Sequence, residues 1–221
     1  MPNRKLTIFV LLFLLVGWPL LSYYLMQAGG ESLKDLKIEN VALQVYLPTI
    51  LIQWLIFLLI FLVLLKGKEN LSAVGWVFLN WKNLLIGLGF FGVANILLLI
   101  VSQILTLFNL SVEKDVALLL PKTSTDKLIW TFMSLSAGIS EETGFRGYVL
   151  TKLNLFTKNW IATVIISSFF FGLGHFYQGL GGIILTALYG ALFCLLFIWR
   201  KSLIPGILAH SLQDISALFF A

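Results

Sequence analysis

Seven runs of roughly twenty apolar residues, parted by short polar breaks, leave this chain few folds to adopt. They are Leu6–Met26, Val45–Leu65, Leu84–Phe108, Lys127–Leu150, Trp160–Phe176, Gly181–Trp199 and Leu203–Phe220. The hydrocarbon layer of a bilayer is about 30 Å thick and a helix rises about 1.5 Å per residue, so such runs have the length of membrane helices. The expected fold is all-α: a polytopic integral membrane helix bundle of about seven spans (six to eight), with an eighth if Val116–Leu120 begins a shallow helix. Composition agrees. The chain is 59% hydrophobic and 11% charged, against roughly 25% charged in soluble domains.

Charge distribution supplies topology rather than a partner. The net charge of +5 is spread through short loops, which excludes a nucleic-acid groove and leaves the lipid bilayer as the surrounding partner. Arg4 and Lys5 precede the first run and Ala28 follows it, as in a signal peptide. That run is too long for an h-region and reads as an uncleaved span. With the N-terminus inside, nine lysines and arginines fall in inner segments and five (Lys34, Lys37, Lys114, Lys122, Lys127) in outer ones. The positive-inside rule then places the N-terminus in the cytoplasm. Small residues at Gly87, Gly89, Gly92, Ala94, Gly182, Ala187, Gly190 and Ala191 suit close helix packing. Trp76, Trp81 and Trp160 sit at span edges as interfacial anchors. The phenylalanine-rich stretches read as lipid-facing or core surface, and Cys194 as a small buried hydrophobe.

The chemistry is confined to one half. Residues 1–120 supply N-terminal helices, and residues 121–221 carry every ionisable group that lies inside an apolar run, the two parts forming one membrane unit. A charge at bilayer depth costs at least about 3 kcal/mol on insertion scales, so these groups mark a function. Glu142 and Arg146 are four apart and share a helix face, acid first, which favours an ion pair. Glu141 is turned about 100° away and is left without a local partner, as suits a general base. His175 follows Phe171 by four residues, beside glycines that allow close approach of another helix or a substrate. His210 and Asp214 are also four apart, and an acid there fixes the imidazole's tautomer or holds it protonated. One carboxylate, two imidazoles and an orienting acid are the parts needed to activate water and stabilise an oxyanion. H-E-x-x-H, a serine elbow, an intramembrane G-x-G-D and phosphate-binding glycine loops are all missing.

Glu141-Glu142-x-x-x-Arg146, Phe171-x-x-x-His175 and His210-x-x-x-Asp214, in that order on successive helices, resemble the CPBP (Abi) family of intramembrane proteases. That family includes type II CAAX prenyl endopeptidases and bacteriocin-processing enzymes. The resemblance covers roughly the C-terminal hundred residues. It implies an intramembrane endopeptidase acting on a membrane-associated peptide or a lipidated, CAAX-like protein tail. Carried over, Glu141 and His175 would activate water, and His210, assisted by Asp214, would hold the oxyanion. Glu142, Arg146 and Phe171 would support the geometry. The prenyl-protein branch has asparagine where this chain has Asp214, and many bacterial members have aspartate. An ionised aspartate cannot donate to an oxyanion, so Asp214 is either protonated or orients His210. The resemblance also implies a bacterial or archaeal cell membrane.

The family is often labelled metalloprotease. Glu141, His175 and His210 supply three ligands if zinc is bound. The metal-free glutamate mechanism is favoured, because the paired histidine spacing of a preformed zinc helix is missing. Two other classes share the residue types. A proton-coupled transporter would use them as a relay, normally with inverted repeats. A catalytically inactive membrane scaffold, such as a bacteriocin-immunity or secretion partner, would not need them. The sequence leaves substrate identity and oligomeric state open.

Overall fold

The computed structural model describes residues 3–28, 33 and 38–219, with backbone alone for 25–28. Glu31, Lys34, Asp35 and Lys37 of the first polar break, and Phe220, lie outside the described residues. The described residues are helical and contain no strand. Helix α1 runs Arg4–Leu12, passes through a π-helical turn at Phe13–Gly17 and continues as Trp18–Ala28. Helix α2 joins a π turn at Ala42–Tyr46 to Leu47–Lys66, and α3 is Trp81–Leu107. Helix α4 begins as Ser124–Glu141, widens into a π-helical segment at Glu142–Val149 and ends as Leu150–Thr157. Helices α5, α6 and α7 are Trp160–Leu173, Gly179–Arg200 and Ile204–Ser216. The polytopic bundle expected from the apolar runs therefore holds. Val116–Leu120 falls mostly within a short 3-10 turn, Lys114–Leu119, that buries no side chain, so it is no eighth span.

Among the described residues, four stretches are long and apolar enough to cross a membrane: Arg4–Tyr24, Ala42–Lys66, Trp81–Leu107 and Phe176–Arg200. The other runs differ for two reasons. Helices α5 and α7 have only 14 and 13 residues, about 20 Å at the helical rise. Helix α4 has the length, but Glu141, Glu142 and Arg146 interrupt its apolar run.

Local signals start and stop the helices. Asn80, Thr123 and Asn159 cap α3, α4 and α5 by accepting hydrogen bonds from backbone N–H groups of the first turn. At α4 the capping box is complete: Asp126 N–H donates to Thr123 Oγ1 at 3.1 Å, and Thr123 N–H donates to Asp126 Oδ2 at 3.0 Å. The Thr123 backbone N–H, then its hydroxyl, hold the exposed Asp126 carboxyl below the usual carboxylate range. A depressed carboxyl of this kind stabilises the fold at neutral pH and loses that contribution as pH falls through its lowered value. Lys158 and Lys201 close α4 and α6 in the left-handed region, at φ 51° and 52°.

Burial sorts the helices into outer and inner ones. Over its 27 residues α3 buries only Asn83, Gly87 and Ala94, while Leu85, Val93, Ile96, Leu99, Ile100 and Leu107 face outward. That surface is costly in water and suited to lipid. Helix α7 packs between α3 and α4, α6 packs along α5, and α2 lies against α4. Small residues permit these approaches. Gly138 of α4 sits against Ser211 and the Ile207 carbonyl of α7, Gly87 of α3 against the Pro205 backbone, and Gly172 of α5 against the Ile183 carbonyl of α6. Gly89 and Gly92 face open space instead. Polar ties join the two halves of the chain. Lys152 pairs with Glu69. Arg200 Nη2 donates to Asn83 Oδ1 at 3.0 Å, and Asn83 Nδ2 donates to Ser202 Oγ at 3.1 Å.

A Cβ added at Gly138 would lie 2.2 Å from Ser211 Oγ and 2.8 Å from the Ile207 carbonyl oxygen. Gly138→Ala is expected to cost about 1–3 kcal/mol through overpacking, seen as a lower unfolding midpoint in detergent. Gly92→Ala, which meets nothing within 4 Å, is expected to leave the midpoint unchanged.

Candidate active site

Glu142 lies at the junction of α4 and α7, 1% exposed. Its Oε1 meets Arg146 Nη1 at 3.0 Å, one turn along its own helix. The same oxygen accepts a hydrogen bond from His210 Nδ1–H of α7 at 2.9 Å. Gly206 makes room for the carboxylate, since a Cβ there would stand 2.9 Å from Glu142 Oε2. Arg146 is itself 1% exposed and makes no well-aligned hydrogen bond among the described residues. Aromatic faces accompany its ion pair: Cζ lies 4.0 Å from the Phe171 ring centroid and 5.1 Å from that of Phe193. The Phe193 and Phe171 centroids lie 5.7 Å and 6.4 Å from that of His210.

With Nδ1 engaged, His210 presents Nε2 to two other carboxylates. Glu141 Oε2 stands 3.9 Å away and Asp214 Oδ2 3.8 Å away. Both are beyond direct hydrogen-bond length. The pairing expected from sequence is thereby rearranged. Asp214 was expected to orient His210, but Glu142 occupies the orienting position and Asp214 faces the opposite nitrogen. The adjacent glutamates were expected to face apart, yet both reach the same imidazole. They meet it at different nitrogens, Glu142 at Nδ1 and Glu141 at Nε2, where a π-helical segment begins at Glu142. Such π segments are frequent at functional sites.

Glu141 borders on the other side a small recess with room for about one water molecule, lined by Leu14 and Trp18 of α1, Gln53 and Ile56 of α2, and Ser140, Gly144 and Phe145 of α4. The Ser140 hydroxyl donates to the Gln53 backbone carbonyl, fixing α2 against this part of α4. His175 lies just past the end of α5, where its Nδ1–H donates to the Phe171 carbonyl at 2.9 Å, leaving Nε2 without its proton in the neutral ring. The Phe171 ring is 5.0 Å from that of His175 and so lies next to both histidines. The glycines around it serve helix packing. Gly172 admits α6, and Gly174 admits the Trp18 indole, 2.9 Å from where a Cβ would stand.

The sequence-predicted residues Glu141, Glu142, Arg146, Phe171, His175, His210 and Asp214 thus gather at one place. Glu141, His175 and His210 do not form a ready ligand set, because among the described residues no three His, Cys, Asp or Glu side chains are placed to hold a metal ion. Three neighbours were missed or misread. Trp76, expected as an interfacial anchor, turns inward, and its Nε1–H donates to Thr143 Oγ1 at 3.0 Å, beside Glu142. Phe193, expected as plain packing, flanks both Arg146 and His210. Gln53 went unnoticed, although an amide in the middle of an apolar run is a signal of the same kind as a buried charge.

A family model described as Type II CAAX prenyl endopeptidase Rce1-like matches residues 123–216. That segment, less than half of the chain, is similar to this family. The match runs from the cap of α4 to the last residue of α7 and so contains all seven residues gathered here. It supports the CPBP family of intramembrane proteases and, at the level of the family, CAAX-type protease activity in an integral membrane protein. Comparison with curated proteins and with solved structures finds no match.

Removing one member of a buried ion pair strands its partner. Arg146→Ala is expected to destabilise the fold by roughly 3–5 kcal/mol, measured as a lower unfolding midpoint in detergent. Glu142→Gln is expected to cost at least as much, because it strands the buried Arg146 guanidinium, which cannot neutralise itself by losing a proton.

Proposed function

We propose that this chain is an intramembrane endopeptidase that hydrolyses a peptide bond of a membrane-associated peptide or lipidated protein tail, by water activated at Glu141. The observation that carries this reading is the division of labour among the carboxylates. Glu142 is engaged by Arg146 and His210, whereas Glu141 has no partner within hydrogen-bond length among the described residues and borders the recess.

In this mechanism Glu141 takes a proton from water, and the resulting hydroxide attacks the scissile carbonyl carbon. His175 Nε2, free because Nδ1 is held by Phe171, helps to orient that water. His210, held by Glu142 in the imidazolium form, turns an Nε2–H toward the oxyanion of the tetrahedral intermediate. Asp214 steadies that proton from the far side. Glu141 then passes its proton to the departing amine nitrogen as the C–N bond breaks, leaving a carboxylic acid and an amine. Each step uses a side chain of this protein, and none needs a metal. The recess between α1, α2 and α4 has the size to hold the attacking water beside Glu141, and in this reading a cytoplasmic N-terminus would set which leaflet supplies the substrate.

The test is cleavage of a farnesylated, internally quenched CAAX peptide, and of an unlipidated hydrophobic peptide, by purified protein in liposomes. Glu141→Gln is expected to abolish turnover while leaving the unfolding midpoint of the parent. If this variant cleaves at the parental rate, Glu141 is not the base.

A further inference from the structure

We infer that the site opens toward the face of the bundle opposite its lysine-rich end, and that its substrate is the extracytoplasmic segment of a membrane-anchored peptide rather than a lipidated tail on the cytoplasmic side. The inference rests on the proposed hydrolase reading and deepens it. The structure gathers the inner segments of the sequence at one end of the bundle. There Lys152 pairs with Glu69, Arg200 Nη2 donates to Asn83 Oδ1, and Lys201 Nζ stands 4.7 Å from the Trp160 ring centroid. The nine lysines and arginines of these segments, against five in the outer ones, place this end in the cytoplasm. The outer segments meet at the other end. Tyr46 O–H donates to the Leu119 carbonyl at 2.6 Å, and Glu113 N–H donates to the Gln178 carbonyl at 3.0 Å.

The catalytic groups lean toward that second end. Helices α5 and α7 both start at the lysine-rich end, α5 at Trp160 and α7 at Ile204, just past Lys201. At about 20 Å by the helical rise, they stop short of the far side of a hydrocarbon layer of about 30 Å. His175 and Asp214 sit where these helices end, so the depth left unfilled lies beyond them, on the outer side. A chain of contacts joins Asp214 to the outer segments. The Trp130 indole N–H donates to the Asp214 carbonyl at 2.8 Å, and its ring lies 5.3 Å from that of Tyr46, which holds Leu119. Exposure follows the same axis. Arg146, a turn nearer the lysine-rich end along α4, is 1% exposed with its partner Glu142, whereas the Glu141 side chain is 20% and that of Asp214 34% exposed. Carboxylates resting on acyl chains are costly, so these two mark the wetted flank. A peptide coming from the cytoplasm would have to carry unpaired backbone groups past the closed Glu142–Arg146 layer. One coming from the far side meets Asp214 and Glu141 first.

Two measurements test this. In intact spheroplasts of a bacterial host, a membrane-impermeant thiol reagent is expected to label Lys122→Cys, and to label Lys66→Cys only after lysis; both positions are exposed and the native Cys194 is buried. Labelling of Lys66→Cys in intact spheroplasts would overturn the inference. For cleavage, Lys66→Cys protein is reconstituted at about one molecule per liposome and biotinylated from the bath, and streptavidin captures the vesicles whose lysine-rich end faces outward. The probe is an unlipidated, internally quenched hydrophobic peptide with a polyethylene glycol tail that keeps it in the outer leaflet, beside the farnesylated CAAX peptide. The unlipidated peptide is expected to be cleaved by the uncaptured vesicles, and this cleavage to be lost in the captured ones. A rate per protein molecule in the captured vesicles equal to or above that of the uncaptured ones, or cleavage of the farnesylated peptide alone, would overturn the inference and leave the proposed function standing. Protein that cleaves neither peptide in detergent, where both ends are open, would overturn the hydrolase reading and this inference with it.

Discussion

One carboxylate oxygen holds the site together. Glu142 Oε1 is shared between a guanidinium on its own helix and an imidazole on α7, and among the described residues neither has another carboxylate so close. Burying three ionisable groups in this way is expensive for each taken singly. Glu142 and Arg146 require each other, because removal of either leaves the other charged in a low-dielectric setting. The Phe171 and Phe193 rings extend the arrangement by covering the guanidinium. The cluster is thus both the joint between α4 and α7 and the device that sets the direction of the His210 ring. Stability and chemistry cannot be separated at Glu142, whereas at Glu141 they can.

The separation lies in how two adjacent acids meet one ring. Neighbouring residues of a helix point to different sides, and Glu141 and Glu142 stand at different nitrogens of His210. The wider segment Glu142–Val149 begins there. All eight of its residues are buried, and Trp76 ties it from outside through Thr143. Gly147 admits the Val74 carbonyl, which would stand 2.7 Å from a Cβ there. The expanded turn is therefore held by its surroundings and does not relax to α-helical winding.

Much of this was legible in the sequence, and the reasons differ by feature. Apolar runs of membrane length revealed the helices, because hydrophobicity needs no knowledge of neighbours. Charges inside those runs revealed Glu141, Glu142, Arg146, His175, His210 and Asp214 as one site, because a buried charge is costly wherever it lies. The i, i+4 rule gave the Glu142–Arg146 pair correctly. The same rule favoured Asp214 as the partner of His210, and there it was insufficient: a ring has two nitrogens, and the closer acid came from another helix. The π segment had no readable signature, since it depends on how α2, α5, α6 and the turn Leu71–Val74 pack against it. Trp76 and Gln53 could not be placed without knowing which face of the bundle they met.

The brevity of α5 and α7 has a bearing on how a reaction that consumes water proceeds in a lipid film. Two rods of about 20 Å are shorter than a hydrocarbon layer of about 30 Å, and a short segment among longer ones favours a locally thinner film. His175 lies at one such end. Less of the oily layer would then part the carboxylates from bulk solvent.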